Sequence, residues 1–167
     1  IRYYDTAGQA RNVEDARPQE EQPGIGELRL DPLVNEWVAM AAHRQGRIFL
    51  PPKELCPLCP TTGELLTEIP ESDFEVVVFD NRSPSLRPPV GDWALPDLVG
   101  PDTDLGTAAG KCEVICFTAE HGKAFKDLTP QRVRTLLEAW IDRTSELSQE
   151  SFIEHIAPFE NRGEEIG

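Results

Sequence analysis

Two thiols three positions apart, Cys56 and Cys59 in "CPLCP", have side chains and spacing that can do chemistry. Two thiolates at that spacing hold half of a tetrahedral zinc site. The same spacing suits a redox pair or two buried cysteines. Pro57 and Pro60 follow the cysteines, which fits a tight metal-binding knuckle, and the segment does not open a helix as a thioredoxin-type motif does. Cys112 and Cys116 are expected on one strand, where four residues at ~3.3 Å each separate their backbones by ~13 Å. That is too far for one zinc or one disulfide, so they read as small core residues on one strand face.

The three histidines divide by context. His43 and His155 read as structural or surface residues. His121 closes "FTAEHGK" just past a strand-like run, where a loop can turn its imidazole toward the cysteine knuckle or leave it in solvent. Arg44 and Arg47, in "HRQGR", are two guanidiniums three residues apart in an acidic chain. Guanidinium forks match phosphate oxygens, so a diphosphate clamp stands beside an ordinary solvated loop. Asn81 in "FDNRSPSL" and Asn161 in "FENRG" each follow an aromatic by two positions, and can place an amide on a sugar or base or simply form a turn.

These residues need elements to position them. "ELRLD" from Glu27 alternates apolar and charged residues, Asp31-Pro32 marks a turn, and "EWVAMAA" follows as a second strand, so a hairpin is predicted. "FEVVVF", Phe74 to Phe79, is rich in β-branched residues and predicts a buried strand; "CEVICF", Cys112 to Phe117, predicts another. Between them Ser83 to Gly110 is dominated by Gly, Pro and Asp, and no regular structure is expected, with Trp93, Ala94 and Leu95 the residues there able to pack. Thr129 is a predicted N-cap with Pro130 at the first helical position. Val133, Leu136, Leu137, Trp140, Ile141 and Leu147 then recur at helical spacing. "FIEHIAPFEN" reads as a last strand, with Pro158 forcing an edge or a bulge. Strands joined by loops plus one long helix give an α+β class, an antiparallel sheet covered on one face. The first 26 residues are expected to be a disordered acidic leader, because Arg11 to Gly26 is acidic, rich in Pro and Gln, and nearly free of large apolar residues. Residues 27–167 form the folded unit.

The chain has 167 residues, 16 Lys+Arg against 30 Asp+Glu and a formal charge of −14, which opposes delocalised affinity for nucleic acid or anionic membrane. Any phosphate must be held locally. Four cysteines are too few for a disulfide-dense secreted scaffold, and no run resembles a signal peptide or a membrane span. A cytoplasmic location is expected.

In order and spacing, "LDPLVNEWVAMAAHRQGR", "CPLC", "VVVFDNRSPSL", "CEVICFTAEHGK" and "FENRGEEIG" resemble the N-terminal half of galactose-1-phosphate uridylyltransferases, from Arg29 to Gly167. That family belongs to the histidine-triad superfamily and exchanges UMP between UDP-glucose and galactose-1-phosphate through a covalent uridylyl-histidine. The resemblance implies a histidine-triad-like antiparallel sheet with a long amphipathic helix, here an incomplete half of the full fold. It implies zinc as cofactor, with Cys56, Cys59 and His121 as three ligands. It puts Arg44 and Arg47 on nucleotide phosphates and Phe79, Asn81, Asn161 and Gly167 along the nucleotide-sugar pocket. Ser83 stands where the family usually has a bulky aromatic, and Arg82 where some members have an acid.

The family's His-Pro-His-Gly-Gln supplies the fourth zinc ligand, the nucleophilic histidine and a glutamine that stabilises the transition state, and that motif is not in this sequence. No catalytic residue is therefore assigned within it. The partners implied are UDP-glucose, galactose-1-phosphate and a C-terminal piece carrying the nucleophile, with a homodimer for the complete enzyme and neither nucleic acid nor membrane. Two alternatives stand beside this reading: a non-catalytic nucleotide-sugar-binding remnant, and a dinucleoside polyphosphate phosphorylase of the same superfamily. "CPLC" and "HRQGR" argue against the phosphorylase.

Overall fold

The computed structural model describes residues 1–15, 26–41, 51–63, 65–89 and 105–161. Among the described residues there are seven strands and one α-helix: β1 (Arg2–Tyr4), β2 (Ala10–Asn12), β3 (Glu27–Asp31), β4 (Glu36–Met40), β5 (Val76–Asp80), β6 (Leu105–Thr107), β7 (Glu113–Cys116) and α1 (Pro130–Leu147). They form a four-stranded sheet in the order β2-β1-β5-β7 and a three-stranded sheet in the order β4-β3-β6. Every strand pair is antiparallel. The chain is α+β, as its pattern predicts.

The β-branched run of β5 makes it the centre of the larger sheet, between β1 and β7. Side chains alternate across a strand, so its residues serve two cores. Val77 and Phe79 join Tyr3, Ile69 and Phe74 on one face. Val76 and Val78 join Tyr4, Leu136 and Ala139 of α1 on the other. The expectation of a sheet covered on one face is thus corrected. The helix takes one side and the segment around Ile69 and Phe74 takes the other.

Helix α1 begins as predicted, with the Thr129 hydroxyl accepting from Arg132 N at 3.2 Å and Pro130 in the first turn. It is bound to the sheet by charge as well as packing. Arg143 forks onto Glu113 of β7 at 2.9 and 2.8 Å, and Tyr4 donates to Asp142 at 2.6 Å. The predicted β3–β4 hairpin is present in the register Asp31↔Glu36. Its loop turns where Asp31 Oδ1 accepts from Leu33 N and Asn35 takes a left-handed φ of 55°.

Three further expectations differ from the structure. Residues 1–15 of the supposed leader are ordered into β1 and β2, and Tyr3 and Tyr4 are buried. Asp5 Oδ1 accepts from Ala7 N and Gln9 N to make the turn between these strands. The rest of the supposed leader, from residue 16 to 25, lies outside the described residues. Within the long stretch read as irregular, β6 pairs with β3 in the register Glu27↔Thr107, whereas Trp93, Ala94 and Leu95 lie outside the described residues. "FIEHIAPFEN" contains no strand through Asn161. Pro158 removes a ladder donor there, and no described strand runs alongside it.

Candidate metal centre

A short 3₁₀ turn at Lys53–Leu55 delivers Cys56, whose amide donates back to Lys53 O at 3.2 Å. Cys59 N then donates to Cys56 O at 3.4 Å and closes the knuckle. The chain returns alongside it: Glu68 N donates to Pro57 O at 2.9 Å and Thr61 N to Ile69 O at 2.9 Å. Thr67 Oγ1 ties the two passes together, contacting Thr61 Oγ1 at 3.1 Å and donating to Ile69 O at 3.2 Å. Ile69 is fully buried against Phe79, so the knuckle is pinned to the central sheet by its own return pass. Sequence reasoning missed this pass. Its signal was the turn-rich "TTGELLTE" that leads into Ile69.

The third residue arrives from the loop after β7. Glu120 N donates to Thr118 Oγ1, and Gly122 takes a φ of 82°, a left-handed turn that suits glycine and lets the chain reverse just past His121. The loop is held at both ends on α1's side of the sheet. Phe117 packs edge-on to Phe125 at 6.3 Å, and Arg132 Nη1 donates to Glu75 O at 2.7 Å while lying 3.5 Å from Phe117 O. His121 is exposed, and its Nδ1 lies 3.2 Å from Cys59 Sγ.

Ligand atoms of Cys56, Cys59 and His121 all lie within 4.8 Å of one another. A tetrahedral zinc with its usual bond lengths spaces sulfur and nitrogen neighbours by about 3.5–3.8 Å, so small side-chain rotations admit an ion among these three. The donor set of two thiols and an imidazole also suits zinc. Burial pushes the Cys59 thiol up to about 11, with the hydrogen bond to Cys56 adding to the shift. A metal bound here must therefore displace protons. Cys112 and Cys116 are free thiols outside the group. Cys116 packs against the Tyr3–Phe79 core, and burial pushes its thiol up to about 12. That matches the core role predicted for it.

Of the other predicted site residues, Phe79, Asn81 and Asn161 lie within the described residues. Phe79 is 4% exposed and belongs to the core. Asn81 follows β5, where its amide nitrogen of the backbone donates to Cys112 O at 2.9 Å and its Oδ1 accepts from Ser83 N at 2.9 Å. The turn-forming role is thus real, and the side-chain amide nitrogen can still donate. Asn161 is exposed beyond α1. Arg44, Arg47, His43 and Gly167 lie outside the described residues. His155 is exposed, as its surface reading expects. No helix among the described residues is long and apolar enough to cross a membrane.

Residues 18–167 match the family described as galactose-1-phosphate uridyl transferase, N-terminal domain. A galactose-1-phosphate uridylyltransferase of Streptomyces lividans is 39% identical over 166 residues, covering 99% of this chain and 41% of the relative. One of Thermotoga maritima is 41% identical over 143 residues, covering 84% of this chain and 42% of the relative. The chain therefore spans about two fifths of the length of these relatives. A solved "Structure of uridylyltransferase" superposes with a TM-score of 0.51 at 21% identity, over 75% of this chain and 36% of that one, which bears on the fold. With a family match running across most of its length and relatives near 40% identity, the chain belongs to the galactose-1-phosphate uridyl transferase family, as its N-terminal domain.

Proposed function

We propose that this chain is the N-terminal portion of a galactose-1-phosphate uridylyltransferase, exchanging UMP between UDP-glucose and galactose-1-phosphate in the cytoplasm. The observation that carries the reading is the convergence of Cys56 and Cys59 with His121, 62 residues away from Cys59 in sequence, on one ion-sized space. Cys56, Cys59 and His121 would hold zinc, with a fourth ligand from a C-terminal portion. A zinc with this donor set supplies a cross-link between the knuckle and the β7 loop rather than an activated water.

The chain's own residues then build one wall of the site. Arg44 and Arg47 neutralise the diphosphate through charged hydrogen bonds. Asn81, fixed by its backbone bond to Cys112 O, offers its amide nitrogen to the nucleotide sugar, with Asn161 and Gly167 placed along the same pocket by family resemblance. Phe79 supports the pocket from beneath, its ring being part of the core under the strand that leads to Asn81. The nucleophilic histidine belongs to the C-terminal portion. It attacks the α-phosphorus, glucose-1-phosphate leaves, and galactose-1-phosphate oxygen attacks the same phosphorus in the return step.

The test is to co-express this chain with the C-terminal portion of a relative and supply UDP-glucose carrying a radioactive α-phosphate. Label on the added portion, none on this chain, and transfer to galactose-1-phosphate are expected. Transfer by this chain alone would overturn the division of labour, and a folded assembly that binds UDP-glucose without labelling would make the chain a binding remnant.

A further inference from the structure

We infer that the Glu68–Arg82 ion pair is a strut that transmits metal occupancy at the knuckle to the Asn81 turn, making Arg82 a positioning residue for the site. The inference rests on the metal reading of Cys56, Cys59 and His121. Its links are short. The Pro57 carbonyl lies between the two cysteines and accepts from Glu68 N at 2.9 Å. The Glu68 carboxylate, 12% exposed, accepts from Arg82 Nε at 2.8 Å. Arg82 is flanked by Asn81 and Ser83, whose side chain and amide close a two-residue turn at 2.9 Å.

Three features make this path rigid enough to carry a signal. Ile69, next to Glu68, is fully buried, so the return pass cannot drift when Glu68 is pulled. Asn81 N is fastened to Cys112 O, so the Asn81 end of the turn is anchored beside β7. The carboxylate is largely withdrawn from water while the Arg82 side chain is 43% exposed, so the pair is screened less than one exposed on both sides. An ion that draws Cys56 and Cys59 together fixes the Pro57 carbonyl between them. That fixes Glu68, and through Arg82 it orders the turn presenting Asn81. By linkage the coupling is reciprocal: whatever factor the metal adds to turn stability, an ordered turn adds to metal affinity. Arg82 thus acts through Asn81.

The experiment uses the 167-residue chain and Co²⁺ as the probe, because its absorption reports tetrahedral thiolate ligation. Amide exchange at Ser83 is read by NMR with and without the ion. In the wild type, Co²⁺ should slow Ser83 exchange by about fivefold, the lower end for coupled sites. Arg82→Met should abolish that slowing and weaken Co²⁺ binding by the same factor, Glu68→Gln should do likewise, and Arg82→Lys should restore part of both. A purely structural role for Arg82 would change Ser83 exchange equally with and without the ion. Overturning results are a Ser83 response in Arg82→Met equal to the wild type's, or none in a wild-type chain that shows the Co²⁺ bands. Absence of those bands in the wild type would instead bring down the metal reading, and this inference with it.

Discussion

Arg143 offers the sharpest test of how the helix is held to the sheet. It is 8% exposed and forks onto Glu113 at 2.9 and 2.8 Å, while its remaining nitrogen reaches Glu146 at 2.7 Å. Glu113 has a second cation, Lys111, at 3.2 Å. The hydrogen-bonded Glu113 carboxylate holds the Arg143 guanidinium above its ordinary range, so Arg143 is charged at neutral pH. Breaking a buried pair from one side costs about 3–5 kcal/mol, because the orphaned charge stays buried. Lys111 remains beside Glu113 after Arg143→Met, so the loss should sit near ~3 kcal/mol, at the low end of that range. Glu113→Leu leaves Arg143 with Glu146 and should cost a similar ~2–3 kcal/mol. Removing both partners leaves no buried charge uncompensated, so the double variant should be less destabilised than the sum of the singles by about 2 kcal/mol. Urea unfolding followed by circular dichroism and by tryptophan fluorescence gives these values from the midpoints, provided the slopes agree. Single losses that simply add, with a coupling below ~0.5 kcal/mol, would refute the reasoning and show that packing alone holds α1.

Other tests probe the metal centre, the first strand and the core. His121→Ala and Cys59→Ser should each weaken Co²⁺ binding on the order of 100-fold or more, since losing even an outer partner costs 10–100-fold; Cys112→Ser and His155→Ala should leave the titration unchanged. Tyr4 donates to Asp142, and burial, followed by that bond, pushes its phenol well above the ordinary tyrosine range. Above pH ~10 the unfolded chain releases this proton while the folded one keeps it, so stability should fall by up to ~1.4 kcal/mol per pH unit from this group. Tyr4→Phe should lose on the order of 1 kcal/mol at pH 8, because Asp142 retains Arg2 at 3.2 Å, and should flatten the alkaline limb relative to the wild type in melts at pH 8 and 10.5. Leu136→Ala, at a position 2% exposed beneath β5, should cost about 2–5 kcal/mol in the same urea assay.

What the sequence determined by itself is local. The Thr129-Pro130 start of α1, the β-branched β5, the β3–β4 hairpin and the cysteine knuckle all depend on neighbours within a few residues, and propensity and turn chemistry act at that range. Family likeness, carried by short motifs, likewise needed no fold. Tertiary structure decided the rest. Arg2–Tyr4 is only three residues long and gains strand form by pairing with Val76–Val78, more than 70 positions away, so its adjacent tyrosines were the sole local hint that both faces of a strand are buried there. β6 is equally short and exists because β3 accepts it. The meeting of His121 with Cys59, which family resemblance anticipated, depends physically on β7 lying beside β5 and on Ile69 pinning the knuckle beneath the same sheet, contacts that local propensity does not encode. Even Asn81 was ambiguous until its turn was seen, because the amide that can bind a ligand has the same atoms as the amide that caps a loop.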